Sequence, residues 1–272
     1  MNAIKGLQTG SAPIEGADLY YEIAGEGPSL VLAHAGFVDR RMWDDQFLVF
    51  AQHYRVVRYD RRGFGNSKLT PGPFSHHRDL YHLLNFLGIE QAHLLGCSMG
   101  GQAIIDFALE HPEMTASLVL VSSALSGYPM QGDIPKPLQE LGAALKAQDL
   151  NRAAELAVRI WIDGPRRIPD QVDARIRERG REMSLTALPS AFVEEEPIKP
   201  SAFERMHELA APTLVIVGEL DDASIATISE LLTTRIAGAR KVIISGAAHL
   251  PNMEKPEEFN REVLAFLQPL LV

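Results

Sequence analysis

Short apolar runs alternate with amphipathic stretches along much of the chain. In runs such as residues 29–33 (SLVLA) and 118–121 (LVLV) nearly every side chain is apolar, which is typical of strands covered on both faces. Turn-forming residues separate the runs, as residues 25–28 (GEGP) do before the first of these two. The pattern predicts strands at residues 17–24, 29–33, 54–59, 92–95, 118–121, 212–218 and 241–245.

Helical periodicity fills the intervals between these runs. In residues 41–52, Met42, Trp43, Phe47 and Phe50 are spaced so that they form one apolar stripe on a helix. The other predicted helices are residues 79–87, the stretch after Met99, the stretch between the last two strands and residues 256–267. Alternating strands and helices predict an α/β fold, with a mostly parallel, doubly wound sheet and helices on both faces.

The alternation stops between residues 125 and 203. This stretch is helix-prone but interrupted by prolines, and no apolar run within it is convincing as a strand. An insertion of this length between two sheet strands is too long for a plain connection and is usually functional. We therefore predict a core domain formed by residues 1–124 and 204–272, with residues 125–203 inserted between core strands as a helical cap (lid).

Composition narrows the classes of function. A formal net charge of −9 and a pI near 5.5 argue against a nucleic-acid or anionic-membrane partner. No apolar stretch is long enough to span a bilayer, and the first residues lack a signal-peptide pattern. Cys97 is the only cysteine, and no Cys/His cluster has metal-ligand spacing. We expect a cytoplasmic protein that uses no metal or other cofactor.

Candidate chemistry centres on the sequence Gly96-Cys97-Ser98-Met99-Gly100, which stands between a predicted strand and a predicted helix. Gly-x-Ser-x-Gly in this context describes a sharp, strained turn that exposes the serine oxygen above the sheet. The pentapeptide alone is also compatible with an ordinary strand-to-helix loop. The catalytic interpretation therefore requires a base, an acid and oxyanion donors at the same edge of the sheet.

An acid and a base follow in the order expected of this turn, Ser…Asp…His. Asp221 comes just after the predicted strand at 212–218, and His249 comes just after the strand at 241–245. A base that activates serine must itself be oriented by a carboxylate. We assign Asp221 to that role and its neighbour Asp222 to a helix N-cap, with Glu219 as a weaker rival for the acid.

Two backbone amides are needed to stabilise a developing oxyanion. The residue after the nucleophile, Met99, supplies one amide at a helix N-terminus, where the helix dipole also helps. The second amide is expected from the loop after residues 29–33. Gly36 is the preferred donor and Phe37 is the alternative.

Taken together, these motifs resemble those of the α/β-hydrolase superfamily. The matching segments are residues 34–37 (HAGF), 60–67 (DRRGFGNS), 96–101 (GCSMGG), 218–221 (GELD) and 249–256 (HLPNMEKP). They occur in family order and span almost the whole chain outside the predicted cap. Among subgroups, the sequence is most similar to the enol-lactonases, esterases and carbon–carbon bond hydrolases.

The resemblance implies an α/β-hydrolase fold and a cofactor-free hydrolase, with Ser98 as nucleophile, His249 as base and Asp221 as its partner. A serine nucleophile distinguishes the chain from the haloalkane dehalogenases and epoxide hydrolases, which use an aspartate. One departure concerns Ala35, which stands where family members usually carry glycine. If the backbone there needs a positive φ, Ala35 is strained.

We therefore expect a serine hydrolase that cleaves a small carboxylic ester or lactone. Two alternatives remain open, namely a carbon–carbon bond hydrolase with the same triad and a protein that binds small molecules without turning them over. The expected partner is a small-molecule substrate, with no nucleic acid and no membrane. Phe37, Met130 and Trp161 are candidates for the substrate pocket, and the sequence leaves the oligomeric state open.

Several other polar residues have an ordinary structural explanation. Cys97 is expected to be an inert, buried residue. His76 and His77 are expected to form a solvated surface pair. Arg166 and Arg167, like the charged run at residues 175–181, are expected to lie on a solvated face whose charges pair with one another.

Overall fold

A computed structural model describes residues 6–69, 72–129, 133–189 and 195–270. Eight strands form one sheet in the order β1-β2-β4-β3-β5-β6-β7-β8. β1 and β4 both pair antiparallel with β2, and every other neighbouring pair is parallel. The strands are β1 Gln8–Ile14, β2 Ala17–Ala24, β3 Ser29–Ala33, β4 Arg55–Tyr59, β5 Ala92–Cys97, β6 Thr115–Val121, β7 Thr213–Gly218 and β8 Arg240–Ile244.

The predicted strands are all present, and one strand was missed. β1 has the sequence QTGSAPI, and only Ala12 of its residues is buried. An edge strand of this kind carries neither a continuous apolar run nor a clear alternation. It is held in the sheet by its antiparallel pairing with β2 and not by the burial of its side chains. The sequence pattern therefore had no signal for it.

Helices cover both faces of the sheet. They are α1 Asp44–Phe50, α2 His76–Phe86, α3 Met99–Glu110, α4 Lys136–Lys146, α5 Leu150–Ala157, α6 Ala174–Ala187, α7 Ala202–Arg205, α8 Ala223–Arg235, α9 Pro251–Glu254 and α10 Pro256–Leu267. Side chains alternate between two buried clusters along a strand, as Leu30 and Leu32 of β3 enter one cluster while Val31 and Ala33 enter the other. The doubly wound α/β fold is confirmed.

Helix starts were less predictable than helix positions. The helix predicted over 41–52 is divided into a 3₁₀ turn at Arg40–Trp43 and α1. Its first turn is held by Asp39, whose side chain accepts the Arg41 amide hydrogen. α2 begins at His76, three residues before the predicted start.

Helices α4, α5 and α6 lie in the chain between β6 and β7, as does a π-helical segment at Val158–Asp163. Their buried residues, including Leu141, Ala153 and Met183, belong to the same apolar cluster as Leu30 and Leu32 of the sheet. The segment is therefore packed onto the face of the sheet that also carries α1 and α10. None of the helices in the described ranges is long and apolar enough to cross a membrane.

The loops that follow the strands at their carboxyl ends meet on one edge of the sheet. The amide of Leu220, after β7, donates to the carbonyl of Ala247, after β8, at 2.8 Å. A Cβ at Gly218 would overlap that same loop at the Ala248 carbonyl. This close approach requires glycine and brings the two loops that carry Asp221 and His249 together.

Candidate active site

Ser98 occupies a strained turn between β5 and α3. Its φ is 54° and its ψ is −118°, a conformation that L side chains rarely adopt. The turn is held by its neighbours, because the Ser98 amide donates to the Val121 carbonyl at 2.9 Å. Strain of this kind persists only where the surrounding structure over-determines it, and it clusters at functional sites.

The glycines on either side of Ser98 allow this turn because they have no Cβ atoms. A Cβ at Gly96 would overlap the backbone of Gly100, and one at Gly100 would overlap the carbonyls that end β3. α3 can therefore begin directly against β3 and β5, with half-buried Ser98 as its N-cap residue. The Gly-x-Ser-x-Gly spacing is thus a packing requirement of this site.

His249 and Asp221 form a buried pair. The Nδ1 atom of His249 lies 3.0 Å from each carboxylate oxygen of Asp221, and the two side chains are only 2% and 3% exposed. Because a carboxylate only accepts, Nδ1 carries the proton that it donates. This arrangement fixes both the orientation of the ring and the tautomer that leaves Nε2 available.

The two rival acids are engaged elsewhere. Asp222 is exposed and caps α8, where its side chain accepts the amide of Ser224 at 2.8 Å. Glu219 accepts hydrogen bonds from the Ser245 hydroxyl and the Gly246 amide. Of the three carboxylates, Asp221 is therefore the one that contacts His249.

Nε2 of His249 is buried and has no hydrogen-bond partner among the described residues. Within the same part of the chain, no hydrogen bond joins it to the hydroxyl of Ser98. The loops that carry the two residues are in contact, since the Cys97 thiol lies 3.8 Å from the His249 carbonyl oxygen. Catalytic hydrogen bonds are often long in a ligand-free protein and tighten once substrate is bound.

The expected oxyanion donors lie side by side. A Cβ at Gly36 would overlap the sulfur of Met99, so the loop after β3 touches the first residue of α3. The amide of Met99 is at the start of a helix and has no intrahelical acceptor. Among the described residues, the amides of Gly36 and Phe37 also have no acceptor, so the choice between these two donors stays open.

Ala35 is not strained. Of the described residues other than glycine, only Ser98, Ser122 and Gln148 have a positive φ. The loop after β3 therefore forms without the left-handed conformation that would have required glycine at position 35. The replacement of glycine by alanine leaves the loop geometry intact.

A hydrogen-bonded chain through His34 orients this loop. The backbone amide of Arg61 donates to Nε2 of His34 at 3.0 Å, so the ring proton is on Nδ1, which donates to the Ala35 carbonyl at 2.7 Å. That carbonyl and the Gly36 amide belong to one planar peptide and point in opposite directions. His34 therefore holds the Gly36 N–H turned away from its own ring. The sequence had singled out His34 only as part of a motif.

His34 can play this part only while it is neutral. Burial and the positive charge of Arg61 together lower the pKa of His34 to about 3. The Arg61 side chain is itself fully buried, and none of its guanidinium nitrogens has a hydrogen-bond partner in the described ranges. Near neutral pH the chain from Arg61 to Ala35 is therefore intact.

Two stacked aromatic side chains, Phe37 and Trp161, lie beside His249. The rings of Phe37 and Trp161 stack at 4.5 Å, and the ring of Phe37 lies 6.3 Å from that of His249. The carbonyl of Trp161 also accepts the His249 amide at 3.2 Å. Trp161 belongs to the π-helical segment, a feature often found at functional sites. The third pocket candidate, Met130, lies outside the described residues.

Arg167 ties the inserted segment to the loop that carries His249, so the expectation of a solvated position for it was wrong. Its side chain is only 10% exposed and forms an ion pair with Glu254 at 2.6 Å. It also donates to the carbonyls of Ile162, Asp163 and Gly246. Glu254 in turn accepts the amide of Ala248, the residue before His249. No sequence pattern indicated this contact, because its members come from distant segments.

The prediction of a solvated histidine pair at residues 76 and 77 was also wrong. Both residues are buried, His76 at 4% exposed and His77 at 5%. Burial lowers the pKa of His76 well below its ordinary value and that of His77 to about 4. Cys97 is buried as expected, and burial raises the pKa of its thiol, which disfavours the reactive thiolate.

In the part of the chain that the structure describes, no group of three or more His, Cys, Asp or Glu side chains is arranged to hold a metal ion.

Known proteins are similar to this chain over most of its length. The model of the alpha/beta hydrolase family matches residues 30–262. The carboxylesterase YbfK of Bacillus subtilis is 26% identical over 256 residues, which is 89% of this chain and 81% of that protein. The 2-hydroxy-6-oxononadienedioate/2-hydroxy-6-oxononatrienedioate hydrolase of Paraburkholderia xenovorans is 31% identical over 271 residues, 92% of this chain and 90% of that protein.

Among solved structures, the enol-lactonase from Burkholderia xenovorans LB400 superimposes with a TM-score of 0.78 at 26% identity. The superposition covers 95% of this chain and all of that structure. The similarity therefore extends over nearly the whole chain, including the segment between β6 and β7.

Proposed function

The chain belongs to the alpha/beta hydrolase family and is a hydrolytic enzyme, and on this premise we propose that it cleaves small carboxylic esters or lactones through an acyl-enzyme on Ser98. One observation carries the proposal. His249 is held by Asp221 at Nδ1, whereas its Nε2 has no hydrogen-bond partner within the described residues. The loop that carries His249 contacts the loop of Ser98.

The reaction begins when the hydroxyl oxygen of Ser98 attacks the ester carbonyl. Nε2 of His249 takes the hydroxyl proton, and Asp221 stabilises the imidazolium without becoming protonated itself. The tetrahedral intermediate then collapses, and the same proton passes from His249 to the leaving alkoxide. Water then attacks the acyl-enzyme with the same proton transfers through His249, which releases the carboxylic acid and restores Ser98.

Negative charge on the carbonyl oxygen is stabilised by the amide of Met99 together with that of Gly36 or Phe37. Such donors act best when they are fixed before the reaction, because no reorganisation is then needed as charge develops. The His34 chain fixes one of them, and the start of α3 fixes the other. Residues 125–203 act as a cap, in which Trp161 shields the site from water.

Ser98→Ala tests the proposal on p-nitrophenyl acetate, p-nitrophenyl butanoate and an enol-lactone. We expect kcat to fall by about 10⁴-fold or more, because the acyl-enzyme can no longer form. Ser122→Ala is the matched control, since Ser122 is another buried serine with a positive φ at the end of a neighbouring strand. Undiminished turnover in Ser98→Ala would contradict the proposal.

A second candidate is cleavage of a carbon–carbon bond in a vinylogous diketone by the same residues. It is favoured by the 31% identity to the 2-hydroxy-6-oxononadienedioate/2-hydroxy-6-oxononatrienedioate hydrolase over 92% of this chain. Adding such a diketone to the substrate panel separates the two. Faster turnover of the diketone than of any ester or lactone would favour the second candidate.

A further inference from the structure

A cavity of about 690 Å³ lies between the inserted segment and the start of α8. Its apolar walls are formed by Leu138 of α4, Leu156 of α5, Ile160 and Trp161 of the π-helical segment, and Ile225 of α8. Its volume is within the range of small-molecule binding sites. Ser98 and His249 are not among the described residues that line it.

Trp161 forms the wall between this cavity and the candidate active site. Trp161 lines the cavity and also stacks on Phe37, the ring that faces His249. Asp222, the neighbour of Asp221, lines the same cavity. The rings of Trp161 and Phe37 therefore separate the cavity from His249.

Most of the charged side chains in the cavity wall are already paired. Five charged side chains of the lining have an ion-pair partner, and the sixth, Asp222, caps α8. The ion pairs are Glu140–Arg152, Glu155–Arg177, Arg159–Asp163 and Arg167–Glu254. An anionic or cationic ligand would have to break one of these pairs, whereas an uncharged apolar group would not.

Apolar surface continues next to the cavity. Ile134 and Ile168 are 65% and 58% exposed, and each precedes a proline, Pro135 or Pro169, that lines the cavity. Large aliphatic side chains exposed together beside an apolar cavity favour a ligand with an apolar chain.

We propose that this cavity binds the uncharged apolar chain of the ester substrate, and that Trp161 is the side chain which that chain must displace to place its carbonyl at Ser98. The inference rests on the proposed esterase function and adds the substrate class to it. Substrates with a medium-length alkyl chain are then preferred over acetates and over esters with a terminal charge.

The kinetic test compares p-nitrophenyl acetate with p-nitrophenyl octanoate, and methyl acetate with octyl acetate, so that the acyl and alcohol sides are probed separately. In one of these two series we expect kcat/KM to rise about two- to fourfold for each added methylene. In that series, Ile225→Glu should lower the ratio of kcat/KM for the long-chain ester to kcat/KM for the short-chain ester by at least tenfold, because it places a charge in the apolar wall. Ile243→Glu is the control, since Ile243 is exposed on β8, away from the cavity. Ratios that are equal in the wild type and in Ile225→Glu would overturn the inference.

A binding measurement separates failure of this inference from failure of the proposed function. Trp43 and Trp161 are the two tryptophans of the chain, so Trp43→Phe leaves Trp161 as the only tryptophan, which can be excited selectively at about 295 nm or above. In the Trp43→Phe/Ser98→Ala double variant, 1-octanol should change Trp161 emission saturably, and octanoate should have at least a tenfold weaker effect. Adding Ile225→Glu should abolish the response to 1-octanol. An equal response to octanoate, or none to 1-octanol, would overturn the inference whether or not the protein hydrolyses esters.

Discussion

His34 shows how a single buried side chain can set the geometry of the proposed oxyanion site. Its ring accepts from the Arg61 amide and donates to the Ala35 carbonyl, and hydrogen bonds linked in this way polarise one another. The positive charge of Arg61 and burial both keep the ring neutral, which this double role requires. We therefore expect His34 to act through the Gly36 peptide without touching the substrate.

Replacing His34 by alanine should therefore lower kcat by about 10- to 100-fold and leave KM within about twofold, because the lost contact matters only as charge develops on the oxyanion. His34→Asn, whose amide can both donate and accept, should recover part of the loss. His93→Ala is the control, since His93 is also buried and hydrogen-bonded, to Ser117, but lies at the start of β5. Equal losses of kcat in His34→Ala and His93→Ala would show that the role of His34 is only structural.

At the residue scale, the sequence predicted the candidate site well where the backbone dictates the residue type. The glycines around Ser98 are required by close packing, so their spacing carries structural information. The sequence favoured Asp221 over Asp222 as the partner of His249 but could not exclude Asp222, because adjacent carboxylates have the same chemistry and only the backbone turn determines which one faces His249. Nor could it show that His76 is buried, since burial there comes from distant segments.

Between elements, Arg167 is the main link from the π-helical segment to the loop before His249. Its contacts with Glu254 and with three backbone carbonyls are buried, so removing the guanidinium would leave the Glu254 carboxylate without its partner. A buried charge left unpaired is strongly destabilising. Through Glu254 the same change would release the Ala248 amide and shift His249.

Arg167→Met should therefore lower the free energy of unfolding by about 3 kcal/mol, measured by urea denaturation. In conditions where the variant remains folded, kcat should fall at least tenfold with little change in KM, because a small displacement of a catalytic group is costly. Arg175→Met is the control, since the Arg175 side chain is 89% exposed in its pair with Asp173 and its removal should leave the free energy of unfolding nearly unchanged. Similar stability and kcat in the wild type and Arg167→Met would contradict this account.

Element types were predictable where the apolar pattern was strong, and boundaries were less so. β3, β5 and β7 are buried and read as continuous apolar runs, which is why their positions were predicted correctly. The π-helical turn at Val158–Asp163 has no local signal in the sequence. It packs closely against α6 at Gly180, where a Cβ would overlap Ile162.

On the scale of the whole molecule, one apolar cluster joins the sheet to the inserted segment. It contains Trp43 beside the sheet as well as Leu141 and Met183 of α4 and α6, and half-buried Trp161 packs against it. The inserted segment therefore cannot separate without exposing part of the core to water. Sequence patterns predicted an insertion but could not show this shared cluster, since its contacts join residues far apart in the chain.

The molecule should therefore unfold as one cooperative unit. Trp43→Phe leaves a fluorophore in the inserted segment, and Trp161→Phe leaves one beside the sheet. In each variant, the urea midpoint measured by tryptophan fluorescence should coincide with the midpoint measured by far-UV circular dichroism. A fluorescence transition at clearly lower urea in Trp43→Phe would show instead that the inserted segment unfolds first.

The central claim, an acyl-enzyme on Ser98, is tested most directly by peptide mass spectrometry after the folded protein reacts with a fluorophosphonate. In this reaction an activated serine oxygen displaces fluoride and forms a stable phosphonate ester. We expect one adduct on the peptide that contains Ser98, and none after urea unfolding or in Ser98→Ala. An unlabelled Ser98 in a folded preparation that hydrolyses esters, or an adduct on a different serine, would contradict the account.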